Sequence, residues 1–256
     1  MVTKPVQLAI CTHLTPPGAS VAEIAEACGA TGVDFAVTEK NVDNLGQAIA
    51  DCCGSDLKQI RYHAYFANIE VGDPDAGQAA QSLAFMQRVV DRVAAQDGRY
   101  LTIHLGFNPG RHGGVDFKNA VDGLKALVEY AGDQGVTICV ENLRTGLTAN
   151  PDDFIRLAEE SGAAVTFDIG HFRSSKAGSN GYAVEDIIGR LGDRIVSAHV
   201  YEAEVDGQGH VPPSDLTTIK PALDALSKTA CSWWVAELGN PDDICRTISL
   251  LKEYQA

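Results

Sequence analysis

Short apolar runs alternate with longer amphipathic or alanine-rich stretches from one end of the chain to the other. The runs are Val6–Cys11, Val33–Val37, Gln59–Tyr62, Tyr100–Ile103, Val136–Val140, Ala164–Phe167, Ile195–Ala198 and Trp233–Ala236, and each predicts a β-strand. Val136-Thr137-Ile138-Cys139-Val140 is almost uniformly apolar, as expected of a strand covered on both faces in a parallel sheet. A helical pattern follows every run. Eight β-then-α units in 256 residues predict a closed α/β architecture, the (β/α)8 TIM barrel, as a single domain over residues 1–256.

Helix punctuation agrees. Asn150-Pro151-Asp152-Asp153 supplies a capping Asn, a Pro at the first helical position and acids in the first turn; Phe154, Leu157 and Ala158 follow at core-facing spacing, and Gly162 ends the segment. The same four residue types recur at Asn240-Pro241-Asp242-Asp243, again after a strand and a Glu. This is either an echo between β/α units or two separate uses of a good helix start. Neighbours on a strand point opposite ways, so Trp233 and Trp234 should place one indole inside the barrel and one toward a helix.

Charge narrows the partners. The formal net charge of −14 repels a polyanion, which makes nucleic acid a poor substrate for this surface. Seven scattered cysteines with no C-x-x-C spacing argue against a disulfide framework or a zinc ribbon. Cys28 and Cys139 read as buried free thiols, and the set fits a reducing cytoplasm. The first residues lack the apolar core of a signal peptide, and no stretch approaches the roughly 18 apolar residues of a membrane span, so no membrane partner is expected.

The chemistry stands at the strand ends. His63 ends the third strand, His104 the fourth, Glu141 the fifth, Asp168 the sixth, His199 the seventh and Glu237 the eighth, with His13 just past the first. In a parallel barrel these ends meet on one rim, where active sites are built. Clustered imidazoles and carboxylates are costly without a cation to neutralise them, and they are the ligands of Mn, Zn, Mg, Co or Fe. The set therefore calls for a divalent metal and for no organic cofactor. The rim loops after the fourth and sixth strands add Phe107–Gly114 and Arg173–Gly181.

Val140-Glu141-Asn142-Leu143, Phe167-Asp168-Ile169-Gly170-His171, Ser197-Ala198-His199-Val200 and Glu237-Leu238-Gly239-Asn240 resemble the metal-site motifs of the xylose-isomerase-like barrel superfamily. That superfamily includes sugar and sugar-phosphate isomerases and epimerases and endonuclease IV. The resemblance spans essentially the whole chain, in order. It assigns Glu141, Asp168, His199 and Glu237 to one shared metal and His171 to the substrate or a second metal. His63, His104 and His210 are similar to further ligands of endonuclease IV. The chain departs from that enzyme at Gln208, where an Asp is usual, and at Ser214-Asp215, which replace a Gly-Glu-Gly.

Two activities follow from this resemblance. One is a metal-dependent isomerase or epimerase of a sugar or sugar phosphate. Glu141 and Glu237 then act as acid/base catalysts through an enediolate, and His171 holds a substrate oxygen. Tyr65, Phe66, Phe107, Phe172 and Trp234 are candidates to cover the sugar's apolar face, and Arg144, Arg173 and Lys176 to grip a phosphate. The other is a multinuclear hydrolase of phosphate esters that uses His63, His104 and His210. Expected partners are a small carbohydrate and, with oligomeric state left open, further copies of the chain.

Overall fold

The strand runs close on one another as a ring. The computed structural model describes residues 5–16, 18–54, 59–106 and 114–256. Its barrel strands are β1 (Gln7–Cys11), β2 (Gly32–Val37), β3 (Ile60–Ala64), β4 (Tyr100–Ile103), β5 (Thr137–Glu141), β6 (Ala164–Asp168), β7 (Ile195–Val200) and β10 (Trp233–Ala236). They pair in parallel in that order, and β10 returns to β1, which makes a closed barrel. All eight sequence-predicted runs become barrel strands. Between β7 and β10 a short antiparallel hairpin, β8 (Ala203–Val205) with β9 (Gly209–Val211), stands on the rim.

The helices between strands are α1 (Val21–Cys28), α2 (Leu45–Cys53), α3 (Ala76–Ala94), α4 (Phe117–Asp133), α5 (Pro151–Ser161), α6 (Ile169–Ser174), α7 (Lys176–Ser179), α8 (Val184–Leu191), α9 (Lys220–Leu226) and α10 (Pro241–Gln255). The repeated Asn-Pro-Asp-Asp starts two of them in the same way. The Asn150 carboxamide oxygen accepts from the backbone N–H groups of Asp152 and Asp153, and Asn240 does the same for Asp242 and Asp243.

Strand parity divides the barrel into two chemically different spaces. Val33, Phe35, Tyr62, Leu101, Ile103, Ile138, Val140, Val165, Phe167, Ala198, Val200 and Trp234 face outward and form the continuous apolar core beneath the helices. The alternate positions point into the barrel. There the apolar set is small, Ala9, Cys11, Trp233 and Val235, with Leu14 against it. The N-terminal end is plugged by Arg61, whose guanidinium lies 3.8 Å from the Tyr100 ring and 4.8 Å from the Trp233 ring and donates to Val196 O at 2.8 Å. Gly32 lies against the Trp233 indole so closely that a Cβ there would collide with it.

One expectation from the cysteines is overturned. Cys28 is not a free thiol: it is bonded to Cys245, joining α1 to α10 across a sequence separation of 217 residues. The sequence hid this pair because the two residues lie near opposite ends of the chain and share no motif. The barrel seam, where β10 meets β1, brings their helices into contact. Cys11, Cys52, Cys53, Cys139 and Cys231 remain free. Denatured, unreduced protein is expected to show five reactive thiols per chain. The paired variant Cys28→Ser with Cys245→Ser is expected to lose about 2–4 kcal/mol of stability, read as a lower denaturant midpoint, because its unfolded chain is no longer looped. Seven reactive thiols would contradict the bond. Among the described residues no helix is long and apolar enough to cross a membrane.

Candidate metal centre and active site

Inward parity carries Glu141, Asp168, His199 and Glu237 to the C-terminal mouth, all four buried. Their ligand atoms lie within 4.8 Å of one another. His199 Nδ1 stands 3.5 Å from Glu141 Oε1, 3.5 Å from Asp168 Oδ2 and 3.2 Å from Glu237 Oε2. Atoms held about 2.0–2.2 Å from one ion sit roughly 3 Å apart, so the set is close to coordination spacing. Asp168 Oδ2, His199 Nδ1 and Glu237 Oε2 are buried and make no hydrogen bond. Orphaned donors and acceptors of this kind, aimed at one point, fit a divalent cation.

A second convergence shares one of these residues. His63 Nε2 is 3.1 Å from Glu141 Oε2, His104 Nε2 is 3.2 Å from the same oxygen, and the two ring nitrogens are 2.9 Å apart. Glu141 thus turns one oxygen toward His199 and the other toward His63 and His104.

Other groups hold these ligands. The Asn142 carboxamide accepts from the Asp168 backbone N–H at 2.8 Å and donates to Asp168 O at 2.8 Å, locking β5 to β6. Asp168 Oδ1 accepts from the His171 N–H at 2.6 Å, capping α6. Tyr65 Oη donates to Glu237 Oε1 at 3.1 Å and lies 3.1 Å from both His13 Nε2 and His63 Nδ1. His171 Nδ1 is 3.1 Å from Asn142 O and 3.3 Å from Glu141 Oε1, and its Nε2 is 3.4 Å from Glu204 Oε2. His210 Nδ1 lies 2.7 Å from Glu237 O, and its ring stacks on Tyr201 at 3.8 Å.

Electrostatics follow from this crowding. Burial opposes ionisation of Glu141 and Glu237, but the His199 charge and the neighbouring imidazoles outweigh it, and both carboxyls stay well below the ordinary range. Asp168 goes the other way, because burial, aided by the charges of Glu237 and Glu141, exceeds the pull of His171 and His199. Burial disfavours the charged form of His63, yet Glu141 and Asp34 raise it to about 9. Burial likewise works against His171, and Asp168 and Glu141 raise it to about 10. His13 falls to about 3, because desolvation and the charges of His63, His210 and His199 outweigh the pull of Glu237.

The remaining sequence candidates separate. Lys176 and Arg144 line a cavity of about 460 Å³ between the loops after β5 and β6. Arg144 is already paired there, with Glu204 at 3.4 Å and Asp206 at 2.7 Å. Arg173 is not available for a phosphate. Its Nε donates to Glu202 O, Nη1 to Thr218 O and Nη2 to Glu202 Oε1, each at 2.8 Å, so it braces the β7 loop. Trp234 is not a substrate contact either: it faces outward and packs on Tyr254 of α10 with ring centres 5.8 Å apart. Phe66 and Phe172 are core residues, packed on Phe85 and Phe167. Phe107 lies outside the described residues.

The structure also brings in a residue that strand ends do not reveal. Asp34, in the middle of β2, is buried in the barrel with Oδ2 3.2 Å from His63 Nδ1 and 3.6 Å from His199 Nε2. Burial works against its charge, but the adjacent His199 and His63 imidazoles outweigh this and bring it to about 2. An acid inside the otherwise apolar Gly32-Val33-Asp34-Phe35-Ala36-Val37 was the available signal.

The profile of the xylose isomerase-like TIM barrel family matches residues 21–254. The chain belongs to that family. An uncharacterized protein of Methanocaldococcus jannaschii is 31% identical over 199 residues, 78% of this chain and 81% of that one. Among solved structures, a D-tagatose 3-epimerase-like protein superimposes with a TM-score of 0.71 at 18% identity, covering 97% of both chains. A D-allulose 3-epimerase from Methylomonas sp., solved with D-allulose, does so with a TM-score of 0.73 at 15% identity, covering 99% of this chain and 98% of that one. Similarity at this identity establishes the shared barrel.

Proposed function

We propose that this family member is a divalent-metal-dependent epimerase or isomerase of a small ketose or its phosphate. The observation that carries the reading is the convergence of Glu141, Asp168, His199 and Glu237 on one point, with two glutamates arriving from strands three steps apart in the ring. That the similar structures are ketose 3-epimerases or resemble one supports the substrate class. Glu141, Asp168, His199 and Glu237 would hold the cation. When bound, the cation polarises a carbonyl and its neighbouring hydroxyl and so acidifies the C–H between them.

The chain's own residues then handle the proton. One glutamate takes it from carbon on one face of the substrate, and the other returns a proton to the opposite face, which inverts that carbon with no net change in atoms. Tyr65 holds Glu237 by one carboxylate oxygen and leaves the other directed at the centre. His171 sits at the mouth beside Glu141, placed to hold a substrate oxygen.

The test is isotope exchange. Protein loaded with Mn²⁺ or Co²⁺ is incubated in D2O with a panel of ketoses and ketose phosphates, and NMR follows the C–H beside each carbonyl. Deuterium entry together with the epimer supports the reading, and absence of exchange across the panel overturns it. The second reading, a two-cation hydrolase of small phosphate esters, stands on the His63–His104–Glu141 convergence alone. Cleavage of such esters without ketose exchange would decide for it.

A further inference from the structure

His199 and His63 use opposite ring nitrogens. His199 turns Nδ1 toward Glu141, Asp168 and Glu237, whereas His63 turns Nε2 toward Glu141 and His104. An imidazole nitrogen that lends its lone pair to a cation leaves the ring hydrogen on the other nitrogen, and that N–H requires an acceptor. The nitrogen facing away is Nε2 in His199 and Nδ1 in His63. Both face the same atom, Asp34 Oδ2, at 3.6 and 3.2 Å. Tyr65 Oη, which donates to Glu237 Oε1, also lies 3.1 Å from His63 Nδ1 and shares that N–H with Asp34, whereas His199 Nε2 and Asp34 Oδ2 are buried and otherwise unpartnered.

We propose that Asp34 is the shared positioning residue of two cation sites, one carboxylate oxygen that fixes the tautomers of His199 and His63 together. Asp34 is buried, as are the two rings, and it lies beside Cys11 of β1 and Arg61 of β3. Asp34, His63 and His199 also come together closely enough to be considered a cation site of their own. That arrangement would demand lone pairs on both nitrogens of both rings once the upper sites are filled, which neutral imidazole does not offer. Asp34 therefore orients ligands and does not replace one.

The inference rests on the metal centre of the proposed function together with the His63–His104–Glu141 convergence, and is independent of the sugar. It predicts that removing one carboxylate weakens two sites at once. The full chain, stripped with chelator, is titrated with Co²⁺ while visible absorption and bound metal are followed, for wild type and Asp34→Asn. The amide keeps the shape of the carboxylate but loses its charge, so its oxygen is a weaker acceptor for the two N–H groups and its N–H₂ competes for the same place. Both Co²⁺ affinities are expected to fall about 10–100-fold, with an altered ligand-field spectrum. Wild-type affinities and spectrum in Asp34→Asn would overturn the inference. So would loss of a single ion with the others unchanged, which would make Asp34 a ligand.

If the variant does not fold, wild type decides. Co²⁺-loaded wild type should show, besides the N–H of His104, two paramagnetically shifted imidazole N–H signals from His199 and His63 that are slow to exchange, and their absence sinks the proposal. Ketose inactivity of a wild type that binds Co²⁺ in this way would remove the sugar reading and leave Asp34's role standing.

Discussion

Glu141→Gln and Glu237→Gln are each expected to lower ketose turnover by about 10²–10⁴-fold, the usual worth of a positioned proton-transfer group. Both side chains are buried and matched in volume by Gln, so circular dichroism and the elution volume should stay at wild type. The two variants should differ in one respect. Glu141 serves two convergences through its two oxygens, whereas Glu237 serves one and takes its second contact from Tyr65. Glu141→Gln should therefore also reduce bound metal at both sites, and Glu237→Gln at one. Full turnover in either variant would exclude the two-carboxylate mechanism.

Chelation should produce the next largest effect, and its size depends on pH. Stripped of metal, the centre relies on protonated imidazoles to offset Glu141, Asp168 and Glu237. In that form His63 titrates at about 9 and His171 at about 10, above the ~6.5 of a free imidazole. Raised values in the folded state mean that folding holds protons which the unfolded chain has released. This stabilisation is complete below about pH 6.5 and is lost as pH rises through 9 to 10. Bound metal reverses the trend, since a ligating nitrogen must be unprotonated and cation affinity rises with pH. Metal at 100 times its Kd adds about 2.7 kcal/mol. The melting temperature of stripped protein should therefore fall between pH 6.5 and 10, while the gap to loaded protein widens. A gap that narrows over this range would contradict the placement of imidazoles among the ligands.

The barrel was legible because each strand is a short apolar run between helix signals, and its ends carried the candidate site because parity turns those side chains inward at the mouth. Glu141, Asp168, His199 and Glu237 could be found by asking what stands last on each strand. Asp34 could not, because it lies three residues before the end of β2 and one layer deeper. Counting inward parity on every strand, and not only its last residue, would have exposed it. Trp234 and Arg173 failed for related reasons. Nearness to a strand end does not say which way a side chain faces, and a basic residue in a rim loop does not announce that its donors are already engaged by Glu202 and Thr218. The Cys28–Cys245 bond was invisible because only barrel closure makes the first and last helices neighbours.

That bond changes the connectivity of the whole molecule. Residues 28 to 245 form a covalent ring that includes every barrel strand except β1, together with the loops that carry the site. A single backbone cut anywhere in that ring yields no separate fragment; the two pieces stay tethered across the seam and remain one particle. Loops on the mouth can thus be opened, lengthened or exchanged by new chain ends without giving up the effective concentration that keeps the first and last β/α units together.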